Sequence, residues 1–143
     1  MNINLIEHDI LETQADAVIY FLKRLDIEMV SDILDHNRTY QDFEKYIFIH
    51  KLGNALNEFI VAGDTFLNCN TGFCNAEICN YKCSGFSFIG NHSKNYFDLI
   101  IDIKAGTVHD IYECSKFKNL ETGVQKKNRI KIDKFEILLS PPF

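Results

Sequence analysis

From Glu12 to Asp35 apolar residues recur every three or four positions, at Ala15, Val18, Ile19, Leu22, Leu25, Met29, Val30, Ile33 and Leu34. That period predicts one helix or two short ones. The expected break is Leu25-Asp26, where Asp26 can cap a second helix opening Ile27-Glu28-Met29. Asn37-Arg38-Thr39 reads as a turn. The helical period then returns from Gln41 to Val61, through Phe43, Ile47, Phe48, Leu52, Leu56, Phe59 and Ile60. Asp42 or Thr39 stands where such a helix needs an N-terminal acceptor, and Gly63 where it needs a stop.

After Gly63 the period shortens. Runs rich in Phe, Ile, Thr and Tyr, separated by Gly, Asn and Ser, predict antiparallel strands at Thr65 to Cys69, Gly85 to Ile89, Tyr96 to Lys104 and Val108 to Phe117. Ala105-Gly106 is the tight turn between the last two. A final strand is expected from Arg129 to Leu139, where the apolar phase slips between Ile132 and Phe135, the mark of a bulge near Asp133-Lys134. Ser140 to Phe143 reads as a loose tail. Helices first and antiparallel strands after predict a single α+β domain over 1–143, with N-terminal helices packed on one face of a curved sheet.

At 143 residues such a chain buries enough surface to fold without metal or disulfides. Twelve Phe and six Tyr, with no Trp, supply large core pieces. A net charge of −5 argues against a nucleic-acid partner, which needs a basic face. The one basic stretch, Lys126, Lys127, Arg129, Lys131 and Lys134, is broken by Asp133 and reads as a solvated face. The acidic N-terminus lacks the basic flank and apolar run of a secretory signal, and no apolar segment reaches about 18 residues. A soluble, cytoplasmic protein without a membrane partner is expected.

Two segments, AVIYFLKRLDIEMVSDILDHNRTYQDF and NYFDLIIDIKAGTVHDIYE, resemble the opening helices with first short strand, and the late hairpin, of the nuclear transport factor 2-like superfamily. That superfamily includes the cone-shaped ketosteroid isomerases and polyketide-cyclase-like proteins. The resemblance implies a cystatin-like roll, a homodimer, and a cavity between helices and sheet. It implies further that Tyr20 stands where the isomerases place an oxyanion-binding tyrosine, Asp42 where they place a carboxylate base, and Asp98 where they place a protonated acid; such carboxyl tuning in ketosteroid isomerase is a known pattern.

The residues themselves offer plainer roles. Along 96–104, Phe97, Leu99, Ile101 and Ile103 form an apolar face and leave Tyr96, Asp98, Ile100, Asp102 and Lys104 on the other. Asp98 then reads as a solvated carboxylate, Asp42 as a helix cap and Tyr20 as a core aromatic.

Four of the five cysteines, Cys69, Cys74, Cys79 and Cys83, fall within fifteen residues. Their spacing lacks the paired C-x2-C knuckles of zinc fingers. A flat hairpin turning at Asn75-Ala76-Glu77 would set Cys74 opposite Cys79 and Cys69 nearly opposite Cys83. The two pairs would then stand roughly 16 Å apart, too far for one tetrahedral zinc. A compact loop would remove that objection. Metal ligation with zinc as the ion, disulfides or a redox pair, and reduced packing all remain open, with His92 the best nitrogen ligand and Cys114 a small hydrophobe.

Three function classes follow. The first is a binding module for a small apolar molecule in a cavity lined by Tyr20, Phe21, Phe48, Leu52, Phe88 and Tyr112. The second is an isomerase, hydrolase or dehydratase using Tyr20 and Asp42 in that cavity. The third is a partner-binding protein with the cysteine loop as its contact surface.

Overall fold

The computed structural model describes residues 11–75 and 85–132. Helix α1 (Gln14–Lys23) is capped by Thr13, whose hydroxyl accepts from the Asp16 N–H at 3.1 Å. Leu25, at φ 61°, turns the chain, and Asp26 then caps α2 (Ile27–Ile33) by accepting from the Met29 N–H at 3.1 Å. The expected break and cap are both present.

The next segment departs from expectation. Thr39–Tyr40 (β1) and Phe43–Glu44 (β2) form a two-stranded antiparallel hairpin, and helix α3 (Lys45–Val61) begins only after it. Gln41 and Asp42 occupy the hairpin turn at φ 52° and 66°, the pair of left-handed residues that a tight two-residue turn demands. Asp42 is therefore an exposed turn residue and not a helix cap. Glu44 takes the N-cap position without a side-chain hydrogen bond to the helix. Tyr40 explains the hairpin's hold: its ring is fully buried, and its hydroxyl accepts from the Asp35 N–H at 3.1 Å.

Helix α3 ends as Gly63 foretells. Gly63 lies at φ 97°, its N–H reaches Ile60 O at 3.0 Å, and the Asp64 N–H reaches Phe59 O at 3.0 Å. Those two bonds satisfy two of the last free carbonyls of the helix.

Strands β3 (Leu67–Cys74), β4 (Gly85–Gly90), β5 (Tyr96–Lys104), β6 (Thr107–Glu113) and β7 (Phe117–Asn119) build one antiparallel sheet in the order β6-β5-β4-β3-β7. β3 runs five residues past its expected end. The expected strand over 108–117 breaks instead at Cys114, and a short β7 follows, paired with the far end of β3. Ala105 and Gly106 form the predicted turn at φ 51° and 82°. Gly106 also faces Thr13, where any Cβ would come within 2.7 Å of the threonine methyl. Its carbonyl accepts from Ala15 N–H at 3.0 Å, and Gln14 Oε1 accepts from Val108 N–H at 2.6 Å, so the start of α1 is pinned to this hairpin. Of the expected strand over 129–139, Arg129 makes a parallel bridge to Tyr96; residues 133–139 lie outside the described part.

The helices cover the apolar face of the sheet. Val18, Leu22, Phe48, Leu52, Leu56 and Phe59 meet Leu67, Phe88, Phe97, Leu99, Ile101 and Ile111 in one continuous core. Edge-to-face ring contacts join Phe59 to Phe97 at 5.4 Å and Phe88 to Phe97 at 5.6 Å, geometry that adds to simple burial. Fully burying each such ring stabilises the fold by about 2–3 kcal/mol.

Candidate functional site: the polar face of the sheet

The far face of the sheet is also covered, by chain that follows β6. Cross-strand register places Asn70, Ser87 and Asp98 in one row on this face, and Ser87 and Asp98 face each other directly. Asp98 is 7 % exposed and Ser87 fully buried. The reading of Asp98 as a solvated carboxylate is therefore wrong, although it does lie on the face opposite the apolar one. Periodicity assigned the side correctly but could not show what would cover it.

The cover comes from 117–132. Phe117 lays its ring over Gly85, where a Cβ would come within 2.8 Å of the ring, so only glycine admits this approach. Lys126 then reaches Asp98, its Nζ 3.1 Å from Oδ1 and 3.4 Å from Oδ2. Its ammonium lies 4.5 Å from the centre of the Tyr96 ring and 5.0 Å from that of Phe117. Two ring faces and one carboxylate replace the water that a solvated lysine would keep. One member of the basic stretch is thus a half-buried structural cation and not part of a solvated face.

Two polar atoms in this row lack a hydrogen bond. The Ser87 hydroxyl has no partner, and Asp98 Oδ1 has an ion-pair neighbour but no donor in hydrogen-bonding geometry. Buried polar atoms are nearly always satisfied, so such a pair marks a place where water or a ligand group completes the site. Alongside, at the edge of β3, lies a cleft of about 570 Å³ walled by Asn68, Cys69 and Asn70, by Ile89 and Lys94, by Lys23 of α1, and by the loop from Glu121 to Gln125. Asn70 pairs with Ser87 and lines the cleft, and Gln125 of its rim precedes Lys126, so the cleft adjoins the buried row through Asn70. Gly123, at φ 77° with open space around it, gives that rim its turn.

The residues singled out from sequence are not gathered into one site. Tyr20 borders a neighbouring cleft with Lys23, Arg24, Thr65 and Phe66, and the Arg24 guanidinium stands 5.5 Å from its ring centre. Asp42 is at the β1–β2 turn, and Asp98 is on the sheet face away from the helices. Phe48, Leu52 and Phe88 are fully buried and packed together in the core, with Phe21 against its margin. Tyr112 stands opposite Ile100, on the same face as Asp98. Among the described residues these side chains pack as a solid interior or lie on different faces; they do not wall a common hollow.

The cysteines separate likewise. β3 pairs Cys69 with Phe88, not with Cys83 as the flat hairpin would have it. Cys69 and Cys74 are five residues apart on one regular strand, hence on opposite faces and about 16 Å apart, so no single tetrahedral ion holds both. Cys69 packs at the edge of the core, where burial pushes its thiol up to about 11. Cys79 and Cys83 lie outside the described residues. Among the described residues, no three His, Cys, Asp or Glu side chains are arranged to hold a metal ion. His92 sits in the β4–β5 turn beside Gly63, at the opposite end of β3 from Cys74. Its N–H and that of Ser93 donate to the buried Asp64 carboxylate at 2.8 and 2.7 Å, which makes this turn a structural clamp.

A third cleft, of about 500 Å³, opens between the β1–β2 hairpin and the start of α3, lined by His36, Arg38, Thr39, Glu44 and Lys45. Its cations are already engaged. Arg38 pairs with Asp35 at 2.8 Å and reaches His109 Nδ1 at 3.0 Å, while Lys45 donates to Leu34 O at 2.9 Å. The Arg38 hydrogen bond holds the Asp35 carboxyl below its ordinary value.

Sequence reasoning missed Ser87, Asn70 and Lys126. Ser87 did carry a signal, as the one hydroxyl inside Gly85-Phe86-Ser87-Phe88-Ile89. Lys126 carried none, because its partner is 28 residues away. Among the described residues no helix is long and apolar enough to cross a membrane. Comparison with family models, curated proteins and solved structures found no match to this chain.

Proposed function

We propose that this protein is a binding module for a small, hydroxyl-rich molecule held between the polar face of the sheet and the loop over 121–126. The observation that carries this reading is the buried Ser87–Asp98 row with its unpartnered Ser87 hydroxyl, set beside a cleft of about 570 Å³. Asn68, Asn70 and Gln125 each offer a donor and an acceptor, the pairing that a hydroxyl answers. Two lysines, Lys23 and Lys94, against Glu121 leave the walls nearly neutral. An apolar ligand fits less well, since the apolar face is already filled by phenylalanine rings. The order of two short helices, a hairpin, a long helix and four successive antiparallel strands supports the likeness to nuclear transport factor 2-like cones drawn from the sequence.

Calorimetric titration with a panel of monosaccharides, disaccharides and linear polyols tests the reading. At least one member should bind saturably, and Asn70→Ala and Ser87→Ala should each weaken it about five-fold or more, as expected for a lost hydrogen bond of about 1 kcal/mol. No binding across the panel, or binding indifferent to both substitutions, would contradict it.

A further inference from the structure

Cys114 lies just beyond β6, its N–H donating to Asp98 O at 3.0 Å, on the polar side of the sheet. Three residues later Phe117 pairs with Cys74, and the Asn75 N–H donates to Lys116 O at 2.7 Å. This fold-back brings the end of β3 against the β6–β7 connection. It sets the Cys74 and Cys114 side chains near enough for each to feel the other's charge. Both are free thiols, although 40 positions apart in the chain.

We propose that Cys74 and Cys114 form a modification site that takes an intramolecular disulfide under peroxide. Cysteine spacing did not suggest this pairing: it grouped Cys74 with Cys69, Cys79 and Cys83 and left Cys114 outside the run. The order of events follows from exposure. Cys74 is partly exposed, whereas Cys114 is buried. Burial pushes the Cys114 thiol up to about 11 and keeps it protonated and slow toward oxidants.

Cys74 is accordingly the thiol that peroxide reaches. Its sulfur attacks one oxygen of hydrogen peroxide, the O–O bond breaks, and Cys74 sulfenic acid and one water form. The Cys114 sulfur then displaces the hydroxyl from Cys74; the S–S bond forms, and the Cys114 proton leaves with that hydroxyl as a second water. Two thiols are oxidised by two electrons and one peroxide is reduced. Cys69 cannot substitute for either thiol, because it faces the core on the opposite side of β3.

The test is peptide mapping of the full chain after one equivalent of hydrogen peroxide. A Cys74–Cys114 crosslink is expected, with the thiol count in denaturant falling from five to three. The thermal midpoint should rise by about 5 °C, since the bond closes a long loop of the unfolded chain. With Cys114→Ser, Cys74 should instead be trapped as a sulfenic-acid adduct by dimedone. With Cys74→Ser, Cys114 should stay reduced. A crosslink from Cys74 to Cys79 or Cys83, or oxidation of Cys114 that persists in Cys74→Ser, would overturn the proposal. These outcomes are independent of sugar or polyol binding.

Discussion

The two faces of this sheet are each buried at their centre, and by opposite means. On the helix side Phe88, Phe97, Leu99 and Ile101 pack into a core that asks nothing of hydrogen bonding. On the other side Ser87 and Asp98 are also hidden, beneath Phe117 and a Lys126 that pairs with Asp98 and lies over the Tyr96 ring of β5. The first face is stability without chemistry. The second gives up some stability by keeping polar atoms without complete partners, and that cost is a physical reason to look for function there.

Substitutions separate the faces, and the largest effect should come from the core. Phe97→Ala removes a ring between Phe59 and Phe88 and should cost about 3–5 kcal/mol in denaturant unfolding. A loss under about 1 kcal/mol would mean the helix side is loosely packed and could hold a ligand after all. Next, Asp98→Ala strands the Lys126 ammonium, whose side chain is only 17 % exposed, and should cost about 3 kcal/mol. The double change Asp98→Leu with Lys126→Met should recover most of that loss. If the single variant were neutral, the pair would be open to solvent and the comparison would fail.

Smaller effects sharpen the contrast. Ser87→Ala removes a hydroxyl that has no partner, so unfolding should change by less than about 0.5 kcal/mol, or in the stabilising direction. A loss above 1 kcal/mol would show that the hydroxyl is already satisfied. The smallest effect belongs to Asp35, at the rim of the molecule. Its carboxyl is held low, chiefly by the Arg38 hydrogen bond, so its contribution is complete above the ordinary carboxylate range and is lost as pH falls through the lowered value. Asp35→Asn should therefore flatten the acid limb of stability below about pH 4, by less than about 1 kcal/mol for so exposed a pair.

What could be read from sequence divides along the same line. The apolar period located α1, α2 and the core side of β5, and local chemistry marked the Asp26 cap, the Gly63 stop and the Ala105-Gly106 turn. Each of those depends on residues a few positions apart. The β1–β2 hairpin escaped because two-residue strands have no period, and Phe43 happened to continue the helical phase. The polar site escaped because burial of Asp98 depends on Lys126, and the Cys74–Cys114 contact on a three-residue fold-back after β6. Neither has a local signature. The densest visible feature, the cysteine run, pointed along the chain, whereas the close pair in space joins one member of it to the cysteine outside it.

The claim on which this account stands is that ligand enters at the polar face. Backbone amide shifts by nuclear magnetic resonance, followed during titration with the best-binding polyol or sugar, test it most directly. The predicted result is a set of perturbed amides at Asn68, Asn70, Ser87, Asp98 and the loop from Glu121 to Lys126. Perturbation confined to the Tyr20 cleft, to the hairpin cleft at Arg38 and Lys45, or to the helix-facing core would contradict it.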